Sequence, residues 1–374
     1  MKFSEALNFI EFNPSNFHKI PDELKRDKSF ILYIIKKNGY LIENVRDFFK
    51  RDKEIALEAV KQNGYAIRFI PDEIKKDKDI VIAAINQNGY ALQYVDKRFK
   101  KDKKIVLMAI RKYCFSLKFA HQKLKDDEEV VLEAIKQYGY ALKYASPRLK
   151  KKKDLVLKAL KKNVFSLKYA NKKLKNDKEF ILKALKKCDW GTFLEFVSDK
   201  LKKDKKVVYE AAKQWGMAIQ FADRKFREDK KIVLTAVKQY CNSFEHVGKK
   251  LKKDKEIAIE AIRQNGYSMK YCDNSLKQDK NFVMKSVKLN GNALSYVDKK
   301  LKKNKEIVLS AVKQNGNALF YADKSLQDNR DVVLEAVKNN CFALQYASKN
   351  LKQDDKIIKE VKKKNKYCLR IIQV

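Results

Sequence analysis

Residues 52–76, DKEIALEAVKQNGYAIRFIPDEIKK, form one complete copy of a unit that recurs along most of the chain. Asp52 stands directly before a helical pattern, where its carboxylate can accept from backbone N–H groups that the first helical turn leaves unpaired. Apolar residues then cover most of the helix circumference: Ile55, Ala56, Leu57, Ala59 and Val60. Because this stripe is too wide for a helix on the surface of a globule, it indicates a helix with neighbours on both sides.

The second half of the unit predicts a shorter helix and a turn. Lys61 falls in the last turn of the first helix, which should be about 11 residues long, and Gly64 stands where a left-handed residue ends a helix. A shorter helix is predicted near residues 65–70, followed by one tight turn that carries an apolar anchor and leads into the next cap.

The anchor recurs every 25 residues, and two extra residues interrupt this period once, between Leu174 and Leu201. The anchors are Leu24, Phe49, Ile74, Phe99, Leu124, Leu149, Leu174, Leu201, Phe226, Leu251, Leu276, Leu301, Leu326 and Leu351. Three residues after each anchor stands Asp or Asn, with Lys152 as the exception. We therefore predict an all-α fold, an α-solenoid of about fourteen 25-residue repeats, each with a long helix, a short helix and a tight turn.

The ends of the array depart from the repeat pattern. Residues 1–23 are interpreted as a degenerate N-terminal capping unit, residues 24–350 as the tandem repeats, and residues 351–374 as a C-terminal capping segment. Terminal units of a solenoid must shield the core from solvent, which accounts for their different composition. The two-residue insertion, near residues 188–193, predicts a local bulge or a change of curvature.

The charge of the chain predicts affinity for polyanions. The formal net charge is +39, and 86 residues are Lys or Arg. Such a charge favours nucleic acid, anionic lipid or acidic proteins as partners. Most of these residues are Lys, however, whereas proteins that clamp phosphates usually rely on the planar fork of Arg. An AT-rich coding sequence is an alternative explanation for the Lys excess.

The cysteines and the N-terminal segment indicate an intracellular protein. Three of the six cysteines, Cys114, Cys241 and Cys341, occupy the repeat position that Gly usually fills, which favours small buried residues over a disulfide or a zinc site. The first residues lack the uninterrupted apolar region of a secretory signal peptide, and no apolar run is long enough to span a bilayer. We expect a cytoplasmic location.

Two rows of lysines flank the caps and are the candidate contacts for a partner. The pre-cap row, two residues before each cap, includes Lys50, Lys75, Lys100, Lys202, Lys252 and Lys302. The post-cap row, directly after each cap, includes Lys53, Lys78, Lys103, Lys205, Lys255 and Lys305. Together they predict a basic ridge that the phosphates of a nucleic acid could follow, although a solvated surface is the alternative. A third column, with Lys61 and Lys136, is explained by favourable charge at helix C-termini.

Other repeated residues predict structure rather than chemistry. An aromatic column in the short helices, which includes Phe69, Tyr94 and Tyr144, is interpreted as core packing rather than as a surface for base stacking. The Asp column caps helices and cannot form an oxygen cage for a metal. The three histidines lie far apart in sequence, and no glycine-rich phosphate loop or G-x-S-x-G motif is present. We therefore expect no catalytic residues, no cofactor, no metal and no small-molecule substrate.

The repeat resembles a known family. The segment DNRDVVLEAVKNNCFALQYAS, residues 328–348, joins a cap, an alanine, a small residue and an aromatic residue at fixed offsets. It is similar to the repeat of the domain of unknown function 4116 family, which occurs as tandem arrays in intracellular bacteria, protists and large DNA viruses. The resemblance covers the chain from about Leu24 to Leu351. It implies the repeat fold and, for a viral or intracellular bacterial protein, the cytoplasm of a host cell, but it transfers no active site.

Three functions are compatible with these patterns. A non-enzymatic scaffold for protein–protein interaction, with an extended or acidic partner, is our first hypothesis, because solenoids present long continuous faces. The alternative is nucleic-acid or polyanion binding through the two lysine rows, and docking on an anionic membrane surface ranks third. Salt dependence separates the first two, since binding to nucleic-acid phosphates weakens steeply as salt rises.

Overall fold

The structure is a computed structural model that describes residues 2–187, 193–365 and 368. Within these residues the chain forms α-helices, 3₁₀-helices and turns, and no β-strand. A ten-residue α-helix, a 3₁₀-helix and a one-turn helix follow one another in each repeat. The prediction of an all-α repeat solenoid is thus confirmed.

The long helices recur at the predicted period and are one residue shorter than expected. Their bounds are Phe3–Phe12, Lys28–Lys37, Lys53–Gln62, Lys78–Gln87, Lys103–Lys112, Glu128–Gln137, Lys153–Lys162, Lys178–Lys187, Lys205–Gln214, Lys230–Gln239, Lys255–Gln264, Lys280–Leu289, Lys305–Gln314, Arg330–Asn339 and Asp355–Lys364. The predicted short helix is a 3₁₀-helix in most repeats. The 3₁₀-helices in this position are Pro14–Lys19, Gly39–Glu43, Gly64–Phe69, Gly89–Gln93, Cys114–Phe119, Gly139–Tyr144, Val164–Tyr169, Gly216–Phe221, Cys241–His246, Gly266–Tyr271, Gly291–Tyr296, Gly316–Tyr321 and Cys341–Tyr346. The α-helix Phe193–Phe196 takes this position after the insertion.

The predicted tight turn with the apolar anchor is instead a third helical segment of one turn. The segments are Leu24–Arg26, Asp47–Lys50, Ile74–Lys76, Phe99–Lys101, Gln122–Lys125, Leu149–Lys151, Lys172–Lys175, Asp199–Lys202, Arg224–Glu228, Leu251–Lys253, Asn274–Gln278, Lys299–Lys302, Lys324–Gln327 and Leu351–Gln353. Each repeat therefore contains three helical segments. The bulge predicted at the insertion falls on residues 188–192, which lie outside the described residues.

The chain divides into two compact units, Met1–Phe180 and Ile181–Val374. In each unit, the long helix of one repeat packs against the long helix of the next, as Lys53–Gln62 does on Lys78–Gln87 and Lys305–Gln314 on Arg330–Asn339. In helix Lys53–Gln62, Ile55, Ala56, Ala59 and Val60 are fully buried and Leu57 is half-buried. The wide apolar stripe is thus covered by neighbours on both sides, as its pattern predicted.

The caps form at each predicted Asp or Asn, whose side-chain oxygen accepts from backbone N–H groups of the first helical turn. These residues are Asp27, Asp52, Asp77, Asp102, Asp127, Asp177, Asp204, Asp229, Asp254, Asp279, Asn304, Asn329 and Asp354. Lys152 makes no cap, and helix Lys153–Lys162 begins without one. Each cap is typically worth about 1 kcal/mol, so the column contributes to the stability of the whole array.

The prediction of a left-handed glycine at the end of the long helix was wrong. No described residue has a positive φ, and helix Lys53–Gln62 ends at Asn63, whose backbone is extended. The Asn63 side chain then caps the following 3₁₀-helix by accepting from Tyr65 N at 3.0 Å. Gly64 is small for another reason, since a Cβ there would overlap the carbonyl oxygen of Ala84 in the next repeat.

A glutamine at the end of the long helix ties successive repeats together, and the sequence analysis missed it. Gln62 accepts from Gly39 N at 2.6 Å and donates to the carbonyl of Lys37 at 3.2 Å. In the second unit, Gln239 likewise accepts from Gly216 N at 2.6 Å. The signal in the sequence is the recurrence of this residue at one repeat position, as Gln62, Gln87, Gln137, Gln214, Gln239, Gln264 and Gln314.

The cysteines follow the prediction only in part. Cys114, Cys241 and Cys272 are free and buried. Cys341 and Cys368, however, are joined as a disulfide, which corrects the expectation that the cysteines are simply small buried residues. Among the described helices, none combines the length and the apolar character that crossing a membrane requires.

Candidate partner-binding site

The pre-cap lysines have internal partners. Lys100 Nζ donates to the carbonyl of Gln93 at 2.6 Å, and Lys302 Nζ donates to that of Ser295 at 2.6 Å. Each carbonyl belongs to a residue of the 3₁₀-helix, seven residues before the lysine. The lysine side chain therefore links two helical segments of the array. Burial lowers the pKa of both Lys100 and Lys302. This part of the row therefore stabilises the repeat and is only partly available to a partner.

Other lysines of the pre-cap row form ion pairs with nearby acids. Lys50, Lys75 and Lys202 each lie within 4.0 Å of an Asp three residues earlier, at 3.3, 3.0 and 3.4 Å. Lys252 instead lines a cleft in the second unit. Contact of these lysines with a partner stays a prediction.

The post-cap lysines connect one repeat to the next. They reach the cap carboxylate of the following repeat: the Nζ–Oδ2 distances are 2.7 Å for Lys53–Asp77, 2.8 Å for Lys103–Asp127, 2.7 Å for Lys205–Asp229 and 2.6 Å for Lys255–Asp279. Lys305 pairs with Asp331 at 2.6 Å. The hydrogen bond raises the pKa of Lys53 and lowers the pKa of Asp77.

These pairs reduce the charge that the predicted ridge can offer. They are largely exposed, so each stabilises the fold by only about 0–1 kcal/mol, yet each places a carboxylate beside a lysine of the row. Lys78 is an exception, since no carboxylate among the described residues lies within 4.0 Å of its ammonium group. The rows are thus alternating charges rather than an unbroken basic stripe.

The aromatic column lies at the surface and not in the core, which corrects the sequence interpretation. Phe69, Tyr94 and Tyr144 are half-buried. They pack against a second set of rings, which directly follow the glycine position, as Phe69 does against Tyr40 with 5.1 Å between ring centroids. The apolar core beneath is formed by smaller residues such as Ile67. The sequence signal for the second set is an aromatic residue after the small residue in successive repeats.

A cleft in the second unit concentrates uncompensated basic charge. Its volume is about 710 Å³, and its walls are the one-turn helix Leu251–Lys253 with the two residues before it and the turn that follows helix Gly266–Tyr271. A backbone hydrogen bond from Asp273 N to the carbonyl of Lys252, 3.1 Å long, joins the two walls. The lining residues are Lys249, Lys250, Lys252, Lys253, Lys270, Tyr271, Cys272, Asp273 and Asn274. Of these, only Lys252 was a predicted contact.

The five lysines of this lysine cleft form no ion pairs with the described acids. In the part of the chain that the structure describes, none of their ammonium groups has a carboxylate within ion-pair distance. Asp273, the one acid among the lining residues, accepts hydrogen bonds from the backbone N and the Oγ of Ser275, at 3.0 and 2.8 Å. These bonds lower the pKa of Asp273. The cleft is therefore suited to an anionic partner.

The cleft offers electrostatic binding rather than covalent chemistry. Cys272 is 4% exposed, and burial raises the pKa of its thiol to about 12, so the nucleophilic thiolate is scarce at neutral pH. Lys270 Nζ lies 5.5 Å from the centroid of the Tyr271 ring, which holds it at the rim through a cation–π contact. In the described ranges, no group of three His, Cys, Asp or Glu residues is placed to hold a metal.

The repeat matches a known family of tandem-repeat segments. No curated protein matches the chain significantly. A family model described as "Domain of unknown function (DUF4116)" matches eight successive segments: 6–50, 52–100, 102–150, 152–190, 189–227, 229–277, 279–327 and 329–372. A full segment spans two of the 25-residue repeats, and together the segments cover almost the whole chain. The chain is therefore a tandem-repeat member of the DUF4116 family.

Proposed function

We propose that this protein is a non-enzymatic scaffold that holds an acidic, extended segment of a partner protein in the lysine cleft. The observation that carries the proposal is the cluster of five ammonium groups without a carboxylate within ion-pair distance. Clustered charges of one sign attract and orient a partner of the opposite sign. Asn274 and the Tyr271 ring add polar and apolar contacts beside them.

The arrangement favours an acidic protein over a nucleic acid. A nucleic-acid backbone presents a long row of phosphates and needs a matching row of cations. Many lysines of the pre-cap and post-cap rows are instead paired within the fold, whereas the cleft brings together five lysines without an ion pair to any described acid. The cations are Lys and not Arg, so they lack the fork that binds phosphate bidentately.

A charge-reversal variant with a matched control tests the proposal. The test variant combines Lys249→Glu, Lys253→Glu and Lys270→Glu. The control combines Lys299→Glu, Lys300→Glu and Lys303→Glu, which makes the same change in net charge two repeats further on, with Phe320 at the position of Lys270. The probes are an oligoglutamate peptide and a DNA duplex, measured by calorimetry at physiological salt.

We expect the peptide to bind the wild-type chain and the control variant with similar affinity, and the cleft variant at least tenfold more weakly. Equal losses in both variants would assign binding to net charge alone and would overturn the proposal. Tighter binding of the duplex than of the peptide, with a steep salt dependence, would instead support a polyanion binder.

The cytoplasm of a cell, or of a host cell, is the compartment that we propose for this scaffold. Support comes from Cys114, Cys241 and Cys272, which are free and buried. Cys341 and Cys368, which form a disulfide in the structure, would be two thiols in that reducing compartment. Alkylation of the protein in cell lysates, followed by mass spectrometry, should find both thiols free, and an oxidised pair would point to another compartment.

A further inference from the structure

Unit Met1–Phe180 carries a row of rings on its surface, one after the glycine position of each repeat. This aromatic ladder consists of Tyr40, Tyr65, Tyr90, Phe115, Tyr140 and Phe165. The centroids of the Tyr40 and Tyr65 rings are 6.5 Å apart with an interplanar angle of 7°, and those of Tyr65 and Tyr90 are also 6.5 Å apart, at 26°. Phe115 and Tyr140 are 6.2 Å apart in an edge-to-face arrangement.

The rings of the ladder are partly in contact with solvent. Tyr40 is 39% exposed and Phe165 is 45% exposed, while the other rings are half-buried. Second-row rings, such as Phe69 between Tyr40 and Tyr65, support the ladder from below. A row of partly exposed rings of this kind is a candidate interaction surface.

The second unit shows that the repeat does not need these rings. Asn242, Asn292 and Asn317 occupy the same repeat position, and each is the second residue of a 3₁₀-helix like those of the first unit. Asn292 Oδ1 there accepts a hydrogen bond from Asn315 Nδ2 at 2.8 Å, which replaces the ring contact between repeats. The aromatic residues of the first unit therefore require an explanation other than the stability of the fold.

Cations accompany the rings. The guanidinium of Arg68 lies 5.8 Å from the Tyr65 centroid, and Lys143 Nζ lies 5.7 Å from the Tyr140 centroid. Lys118 Nζ lies over Phe119, a second-row ring, at 5.6 Å. Three residues after each of Asn242, Asn292 and Asn317, by contrast, stand Glu245, Ser295 and Phe320. In the first unit a cation stands three residues after Tyr65, Phe115, Tyr140 and Phe165, whereas Glu43 and Gln93 follow Tyr40 and Tyr90; the three Asn repeats have neither ring nor cation.

We propose that the aromatic ladder binds a single-stranded nucleic acid, with bases stacked on the rings and phosphates beside Arg68, Lys118 and Lys143. Such a strand carries flat apolar groups and anions in regular alternation, which matches the pairing of ring and cation in the repeats of Tyr65, Phe115 and Tyr140. A proline-rich peptide could use the rings but has no repeated anion for the cations. The surface is separate from the lysine cleft and independent of the function proposed for it.

The test compares two probes that differ only in their bases. A fluorescently labelled oligothymidylate and an abasic strand of the same length present the same phosphates, so the difference in their affinities isolates stacking. The variant is Tyr40→Asn with Tyr65→Asn. It should fold, because Asn63 and Asn88 stand 23 residues further on, as Asn315 does from Asn292. Circular dichroism and the melting temperature verify folding.

The matched control is Tyr267→Asn, which removes an exposed ring at the same repeat position of the second unit, with Asn290 as the corresponding partner. We expect the wild-type chain and the control to prefer oligothymidylate over the abasic strand by at least tenfold. The double variant should lose most of this preference and keep its affinity for the abasic strand.

Equal affinity of the wild-type chain for both strands would overturn the proposal, as would an unchanged preference in the folded double variant. Binding of a proline-rich peptide that the double variant abolishes, without any preference between the strands, would assign the ladder to a protein partner instead. The lysine-cleft variant should retain the preference for bases, so failure of one proposal does not imply failure of the other.

Discussion

Lys152 donates a hydrogen bond to Glu128 of the preceding repeat, with 2.5 Å between Nζ and Oε2. In most repeats the post-cap residue is Lys and the next cap is Asp, as in Lys103 and Asp127. The two departures from the repeat pattern therefore form one ion pair of reversed polarity. The pair keeps the contact between repeats but leaves helix Lys153–Lys162 without a side-chain cap.

Exchanging both charges should stabilise the protein. Glu128→Lys alone places two lysines together and is expected to cost a few tenths to about 1 kcal/mol. Glu128→Lys combined with Lys152→Asp restores the usual pair and adds a cap, so we expect a gain of about 1 kcal/mol over the wild type. Urea unfolding followed by circular dichroism measures both changes, and a double variant less stable than the wild type would contradict this interpretation of the cap.

Stability should fall in acid through the cap carboxylates. Lys53, Lys153 and Lys255 hold the pKa values of Asp77, Asp177 and Asp279 below the usual range through hydrogen bonds. Because each folded pKa is lower than the unfolded value of about 3.9, this stability is complete above that value and is lost as pH falls through the folded pKa. The urea midpoint should be steady near neutral pH and decline below about pH 4.

Asparagine at the same positions provides the control. Asn304 and Asn329 cap their helices in the native chain, so Asp77→Asn with Asp279→Asn should preserve the caps while removing two titrating groups. The variant should lose some stability at pH 7 and show a shallower decline in acid. A decline as steep as that of the wild type would assign the effect to other groups.

The pre-cap lysines should matter for stability more than for binding. Lys100→Ala removes the hydrogen bond to the carbonyl of Gln93 and should cost about 1–2 kcal/mol, because a half-buried acceptor loses a charged donor. The neighbouring Lys101 is exposed, and Lys101→Ala should change stability by less than about 0.5 kcal/mol. Thermal unfolding compares the two.

One repeat of the native chain makes the same contact with a glutamine instead of a lysine. Gln327 occupies the pre-cap position of its repeat and donates to the carbonyl of Phe320 at 3.2 Å. Lys100→Gln should therefore retain most of the stability that Lys100→Ala loses. If both variants melt at the same temperature, the lysine contributes through its charge or its aliphatic chain rather than through this hydrogen bond.

Gly64 should be intolerant of a methyl group. Its φ is not positive, so the cost of Gly64→Ala is steric and arises from overlap with the carbonyl oxygen of Ala84. We expect a loss of about 1–3 kcal/mol. Gly248→Ala is the control, since its added Cβ would overlap a side-chain atom, the Cγ of Glu228, while the nearest backbone atom, the carbonyl oxygen of Arg227, lies 3.1 Å away. Similar melting temperatures for the two variants would contradict the packing argument.

The amino-acid sequence alone determined the repeat, its period, the caps and the buried face of each long helix. These features depend on interactions between residues that are close in sequence, or on a pattern that recurs in every repeat. They can therefore be predicted from a single unit such as residues 52–76. The left-handed conformation predicted for Gly64 failed, because its small size serves contact with the next repeat rather than a local turn.

Only the tertiary structure decided which lysines are free. In sequence, Lys53, Lys100 and Lys252 look alike, each standing within two residues of a cap. In the folded chain, Lys53 pairs with the carboxylate of Asp77, and Lys100 donates to the carbonyl of Gln93. Lys252 lines a cleft together with four other lysines. The charge that a side chain offers to a partner depends on the groups that folding brings beside it, and those distances do not exist until the repeats stack.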